Sequence, residues 1–208
     1  MTRQELLQRS KPILFNTWEV RKILDDRKTV TRRAIKPQPM NIGEGVFKYK
    51  TEYLGCINAI LHNAPYQPGD ILYVRETWFR TNQFGLQDGY IYKAAITDQQ
   101  ILNLNTFGVC IKWHPSIHMP KEAARIFLRV ADVRVERLQE ITEDQAKKEG
   151  CSDYTSTALG FCCIWDSTIK NQDLDKYGWD ANPWVFVISF ERISEEKGCL
   201  QEGMFSQP

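Results

Sequence analysis

Arg125-Ile126-Phe127-Leu128-Arg129-Val130-Ala131-Asp132-Val133-Arg134-Val135-Glu136-Arg137-Leu138 carries the longest strand signal in the chain, and the architecture turns on it. Ile126, Leu128 and Val130 recur with the period of two that places side chains on one face of a strand, and the phase then shifts to Val133 and Val135. One extra residue near Ala131-Asp132 predicts a β-bulge, which bends a strand as barrels require. Downstream, Thr142-Glu143-Asp144-Gln145 spells a capping box that opens a helix, and Gly150 is placed to close it. Residues 151 to 183 read as irregular, and residues 184 to 190 alternate as a last strand.

Upstream, Pro65-Tyr66-Gln67-Pro68-Gly69-Asp70 predicts a turn, since Pro presets φ and Gly permits positive φ, with a strand leaving it at Ile71-Leu72-Tyr73-Val74. Residues 90 to 96 read as another strand. Ile13-Leu14-Phe15 suits a strand, followed by Asn16 and Glu19 as a second capping box and by the apolar stripe Val20, Ile23, Leu24. Residues 27 to 33 read as extended, Pro37 and Pro39 stop them, and residues 40 to 64 read as a loop or insertion. Several strands not separated by regular helices predict an α+β, mainly β chain: a small, partly open β-barrel with short flanking helices rather than a parallel α/β sheet.

The chain has 208 residues with 42% hydrophobic and 25% charged side chains, an ordinary globular composition that argues against disorder. No apolar run approaches the roughly 20 residues of a membrane-spanning helix, and no signal-peptide pattern follows the start, so a cytoplasmic location is expected. Six cysteines lack any C-x-x-C pair and read as free thiols; neither a metal centre nor a cofactor is expected. Cys110, His114 and His118 have helical ligand spacing, but Pro115 and Pro120 argue against a helix there. Net charge is +1, unevenly spread: residues 1 to 50 hold 12 Lys+Arg against 5 Asp+Glu, the remainder 15 against 21. The basic quarter either faces an anion or is neutralised by the rest of the fold.

Lys28-Thr29-Val30-Thr31-Arg32-Arg33, Pro68-Gly69-Asp70 and the capped helix ending in Glu149 resemble the ASCH domain family, whose fold is the PUA-like β-barrel. Residues 13 to 15, 74 to 78, 115 to 120, 133 to 138 and 182 to 185 look like the longer members frequent in bacteriophage and prophage genomes. The resemblance spans most of residues 11 to 193, read as one domain with long insertions near 37 to 64, 79 to 124 and 151 to 183, and with a loose tail over 194 to 208. It implies contact with RNA or with a modified nucleoside. Some small members are amidohydrolases that remove the acetyl group of N4-acetylcytidine with a Lys, a Thr and a Glu; matching K-T-x-T-x-R and the capped helix puts these at Lys28, Thr31 and Glu149. Other members are described as a single-strand ribonuclease or as part of a transcriptional coactivator, so a non-catalytic reader module, a nuclease and an adaptor stay open. The family usually has Gly two residues before the Lys; here Asp26 stands, which tolerates left-handed backbone better than most residues.

A Thr hydroxyl needs a neighbouring base before it attacks a carbonyl, and in a regular strand Lys28 and Thr31 would face opposite ways, so a turn or bulge must lie between them. Trp18, Tyr73, Trp78 and Trp113 are candidates to stack a base, or core aromatics. Arg32, Arg33 and Arg75 offer donors to phosphate or carbonyl, Glu76 an acceptor for an exocyclic amine, and Ser116 and His118 polar contacts. The plainer alternatives are a solvated basic loop, a surface helix charge at Glu149 and a buried Arg75–Glu76 ion pair.

Overall fold

A computed structural model describes residues 1–81, 89–106, 111–153 and 157–193, save the side chains of residues 104, 105 and 158. In chain order the elements are α1 (Arg3–Arg9), β1 (Lys11–Leu14), α2 (Thr17–Leu24), β2 (Val30–Ala34), β3 (Met40–Gly43), β4 (Val46–Tyr49), β5 (Glu52–Leu54), β6 (Ile71–Arg75), β7 (Trp78–Arg80), β8 (Tyr90–Tyr92), α3 (Asp98–Thr106), β9 (Phe127–Arg137), α4 (Glu143–Lys148), α5 (Thr157–Thr168), α6 (Leu174–Tyr177) and β10 (Trp184–Ile193). The main sheet has the order β1-β6-β9-β10-β2, with β1 and β6 parallel and every other pair antiparallel.

The bulge lies where the phase shift predicts it. Ser189 pairs with Asp132 and Phe190 with Val130, so Ala131 is the residue without a partner. In a regular strand without the bulge, Val133 and Val135 would leave the face of Leu128 and Val130; with it, all four join one core with Ile13, Phe15 and Val74. Central β10 is buried on both faces: Phe186, Ile188 and Phe190 enter this core, while Val185 and Val187 enter a second one under α5. The predicted caps form at both helices. Asn16 and Glu19 exchange hydrogen bonds at α2, as do Thr142 and Gln145 at α4, and Gly69 turns the chain into β6 at φ +88°.

Several expectations need correction. The expected mixture of helix and strand is present, about 31% strand and 35% helix, but strands do not predominate and among the described residues no sheet closes into a barrel. The edge strands β1 and β2 do not pair; instead Arg33 Nη2 of β2 donates to the Leu14 carbonyl of β1 at 2.7 Å. Residues 40 to 64 are no loop: β3, β4 and β5 make a three-stranded sheet, a 3₁₀ segment follows, and Phe47, Tyr49, Leu54 and Ile60 complete the main core. Residues 151 to 183 contain α5 and α6 rather than irregular chain. Periodicity missed α5 because Phe161, Cys162, Cys163, Ile164 and Trp165 are consecutive, giving no polar face to contrast with an apolar one. The strand expected over residues 90 to 96 stops at Tyr92. The tail expected to be loose lies outside the described residues.

Candidate functional site

The segment between α2 and β2 is shaped by Asp26, which takes φ 55° and whose carboxylate pairs with Arg192 at 3.0 Å. The amides of Arg27 and Lys28 then both donate to the Lys22 carbonyl, at 2.8 and 3.0 Å. Lys28 forms an isolated antiparallel bridge with Glu149, the C-cap of α4, and the Thr29 amide donates to the Lys148 carbonyl at 2.8 Å. Gly150 comes next at φ +98°, where a Cβ would sit 3.0 Å from the Lys22 side chain, so glycine is needed for this close approach. The break before β2 provides the irregularity that the Lys28–Thr31 pairing requires: both residues line one pocket.

Inside it, Lys28 Nζ lies 2.5 Å from Glu149 Oε2 and 3.6 Å from Glu19 Oε1. Arg32 reaches Gln145 Oε1 at 2.8 Å, Glu149 Oε1 at 3.1 Å and Glu136 Oε2 at 3.2 Å, with its guanidinium over the Phe161 ring. Glu149 is thus shared by two cations. Lys28, Arg32 and Arg33 at this pocket are balanced by three carboxylates, Glu19, Glu149 and, on Arg32, Glu136, so the pocket does not attract an anion; it suits a neutral ligand with donors and acceptors. Thr31 is buried, and its hydroxyl has no hydrogen-bond partner among the described residues. Arg32 Nε is buried and likewise unpartnered among them. Burial, reinforced by the Glu149 charge, pushes the Cys151 thiol in the wall up to about 12, so this sulfur stays protonated and is no nucleophile.

Trp18, Phe161 and Trp165 supply the apolar wall. The enclosed space is about 30 Å³, room for roughly two waters. A groove of about 440 Å³ adjoins it, sharing Glu19, Arg33 and Thr168 and running past Phe15, Thr77 and Ser116. This groove follows the unpaired seam between β1 and β2. A third cavity of about 410 Å³ continues past Leu14 and Arg33 to Tyr66 and Arg75. Arg33 lines all three.

The structure therefore brings Lys28, Thr31, Arg32, Arg33 and Glu149 together, adds Ser116 in the groove and Arg75 in the third cavity, and lines none of these spaces with Glu76, Trp78, Trp113 or His118. Glu76 pairs with Arg125 through two hydrogen bonds of 2.8 and 2.9 Å, not with Arg75. Trp78 stacks on His114, and His118 is exposed at the end of a 3₁₀ turn. Sequence reading missed Glu19, Glu136, Gln145, Phe161 and Trp165. Glu19 and Gln145 were visible as cap residues, but their second contacts are non-local and carry no spacing signal. Among the described residues no group of three His, Cys, Asp or Glu side chains could hold a metal ion, and Cys110 lies outside them. No family model matches the chain, and no curated protein or solved structure matches it.

Proposed function

We propose that this protein is an ASCH-type nucleobase-binding protein on a PUA-like framework, and that its site hydrolyses the amide of an N4-acylated cytidine. The observation that carries the reading is the convergence of Lys28, Thr31 and Glu149, the three positions the resemblance marks, in one buried pocket although Lys28 and Glu149 are 121 residues apart. The base lies in the larger groove along the seam, and its acylated edge enters the small polar pocket, whose volume admits a small acyl group and not a ring. The Thr31 oxygen adds to the acyl carbon while its proton passes to the Lys28–Glu149 pair, which returns it to the departing N4 amine. Water then releases acetate from the threonine ester.

One observation favours a second reading, a reader that binds the base without turnover: the Lys28 amine is held between Glu149 and Glu19, so no amine is free to act as a base alone. Acetate release from N4-acetylcytidine by the parent and by Thr31→Val separates the two. Turnover that the substitution abolishes is the expected result. Binding of the nucleoside without turnover moves the assignment to the reader, and absence of binding rejects both.

A further inference from the structure

The third cavity differs from the other two in charge. Arg33 and Arg75 both line it, together with Pro12, Ile13, Leu14, Pro65 and Tyr66, and no carboxylate does. Lys28 and Arg32 pair with Glu19, Glu136 and Glu149, whereas among the described residues Arg33 has no carboxylate partner and its single side-chain hydrogen bond goes to the Leu14 carbonyl. Arg75 donates through Nη2 to the Ile117 carbonyl, and its Nε is buried with no partner among the described residues, a donor that remains costly until an acceptor meets it. Two guanidiniums bordering one open cavity, each held by a backbone carbonyl and each with donors to spare, match the forked recognition of phosphate oxygens.

We infer that the cavity between Arg33 and Arg75 is a phosphate-binding subsite. The inference rests on the base reading above and deepens it: the ligand is a phosphorylated nucleotide, not a bare nucleoside. Its base lies in the seam groove, and its phosphate crosses Leu14 into the adjoining cavity, with Arg33, common to both, contacting it from one side and Arg75 from the other. The neutral pocket and the cationic cavity then divide the work, one taking the uncharged edge of the base and the other the anion.

Calorimetric titration of the full chain tests this with cytidine, cytidine 5′-monophosphate, cytidine 3′-monophosphate, a short single-stranded oligocytidine and inorganic phosphate alone. Phosphorylated ligands are expected to bind about tenfold tighter than cytidine. Tighter binding of one monophosphate points to a terminal phosphate, and tighter binding of the oligomer alone to a phosphodiester. Arg75→Gln should erase that gain and leave cytidine affinity unchanged, with Arg75→Lys keeping part of it, and Arg33→Gln should erase the gain as well. In the parent, log affinity against log salt should gain a slope of about one for the phosphorylated ligands only. Equal affinity for cytidine and its phosphates overturns the subsite while the base site stands. Phosphate binding without cytidine binding rejects the base reading and leaves an anion site. Loss of cytidine affinity in Arg75→Gln shows that arginine shaping the groove instead, and also overturns the inference.

Discussion

Among the described residues, two buried clusters of acid and base behave differently. Around Glu76, a single carboxylate meets a single guanidinium, Arg125, through two parallel hydrogen bonds; Arg125 also lies 4.3 Å from the centre of the Tyr92 ring, and no described cavity opens onto Glu76. Around Glu149, one carboxylate is divided between Lys28 and Arg32, the Thr31 hydroxyl has no hydrogen-bond partner among the described residues, and one cavity reaches all of them. Burial of charge is common to both. What distinguishes a site is unspent hydrogen-bonding capacity facing accessible space, and only the second cluster has it.

The largest expected effect comes from Lys28→Met, which leaves Glu149 and Glu19 without their shared cation in a buried setting; denaturant unfolding should show a loss of about 3–5 kcal/mol. A loss under about 1 kcal/mol would mean that water already neutralises the pair. Glu149→Gln keeps the shape but weakens both cation contacts, and a loss of about 2–3 kcal/mol is expected by the same measurement. Glu76→Gln should cost less than about 1 kcal/mol, because burial raises the Glu76 carboxyl above its ordinary value despite Arg125, so that the folded chain already tolerates a neutral group there. The sign of its pH dependence is set by the same shift. Between 4.5 and the raised value the folded state binds the proton more readily than the unfolded state, so stability falls as pH rises through that window. Parent and Glu76→Gln should accordingly converge as pH increases, and parallel stability curves would sink this account. Smallest in stability is Thr31→Val, whose melting temperature should match the parent within error while acetate release disappears. A large drop in melting temperature would instead make Thr31 a packing residue.

Local signals were legible in the sequence. The phase shift at Ala131, the boxes at Asn16 and Thr142, and the glycines at 69 and 150 each follow from backbone geometry within a few residues. What failed needed distant partners. Arg75 and Glu76 are adjacent in sequence, yet the strand sends them apart, and Glu76 finds Arg125 49 positions away. Helix α5 hid behind a run of bulky residues, because it buries Phe161 and Trp165 against Val185 and Val187 from the opposite side of the main sheet, a packing choice that no single-segment pattern carries. The cleft itself followed from the motif only as a set of residues; its division into a neutral pocket and a cationic cavity came from where Glu19, Glu136 and Arg75 end up.

The seam between β1 and β2 also bears on how the protein behaves in a crowded solution. An open sheet edge invites a strand from another molecule to add to it. Along β1, Pro12 has no amide hydrogen to offer, its carbonyl accepts the Tyr66 hydroxyl at 2.7 Å, and the Leu14 carbonyl accepts Arg33. Side chains along β1 have taken the places that a foreign backbone would need, which closes this edge to strand addition.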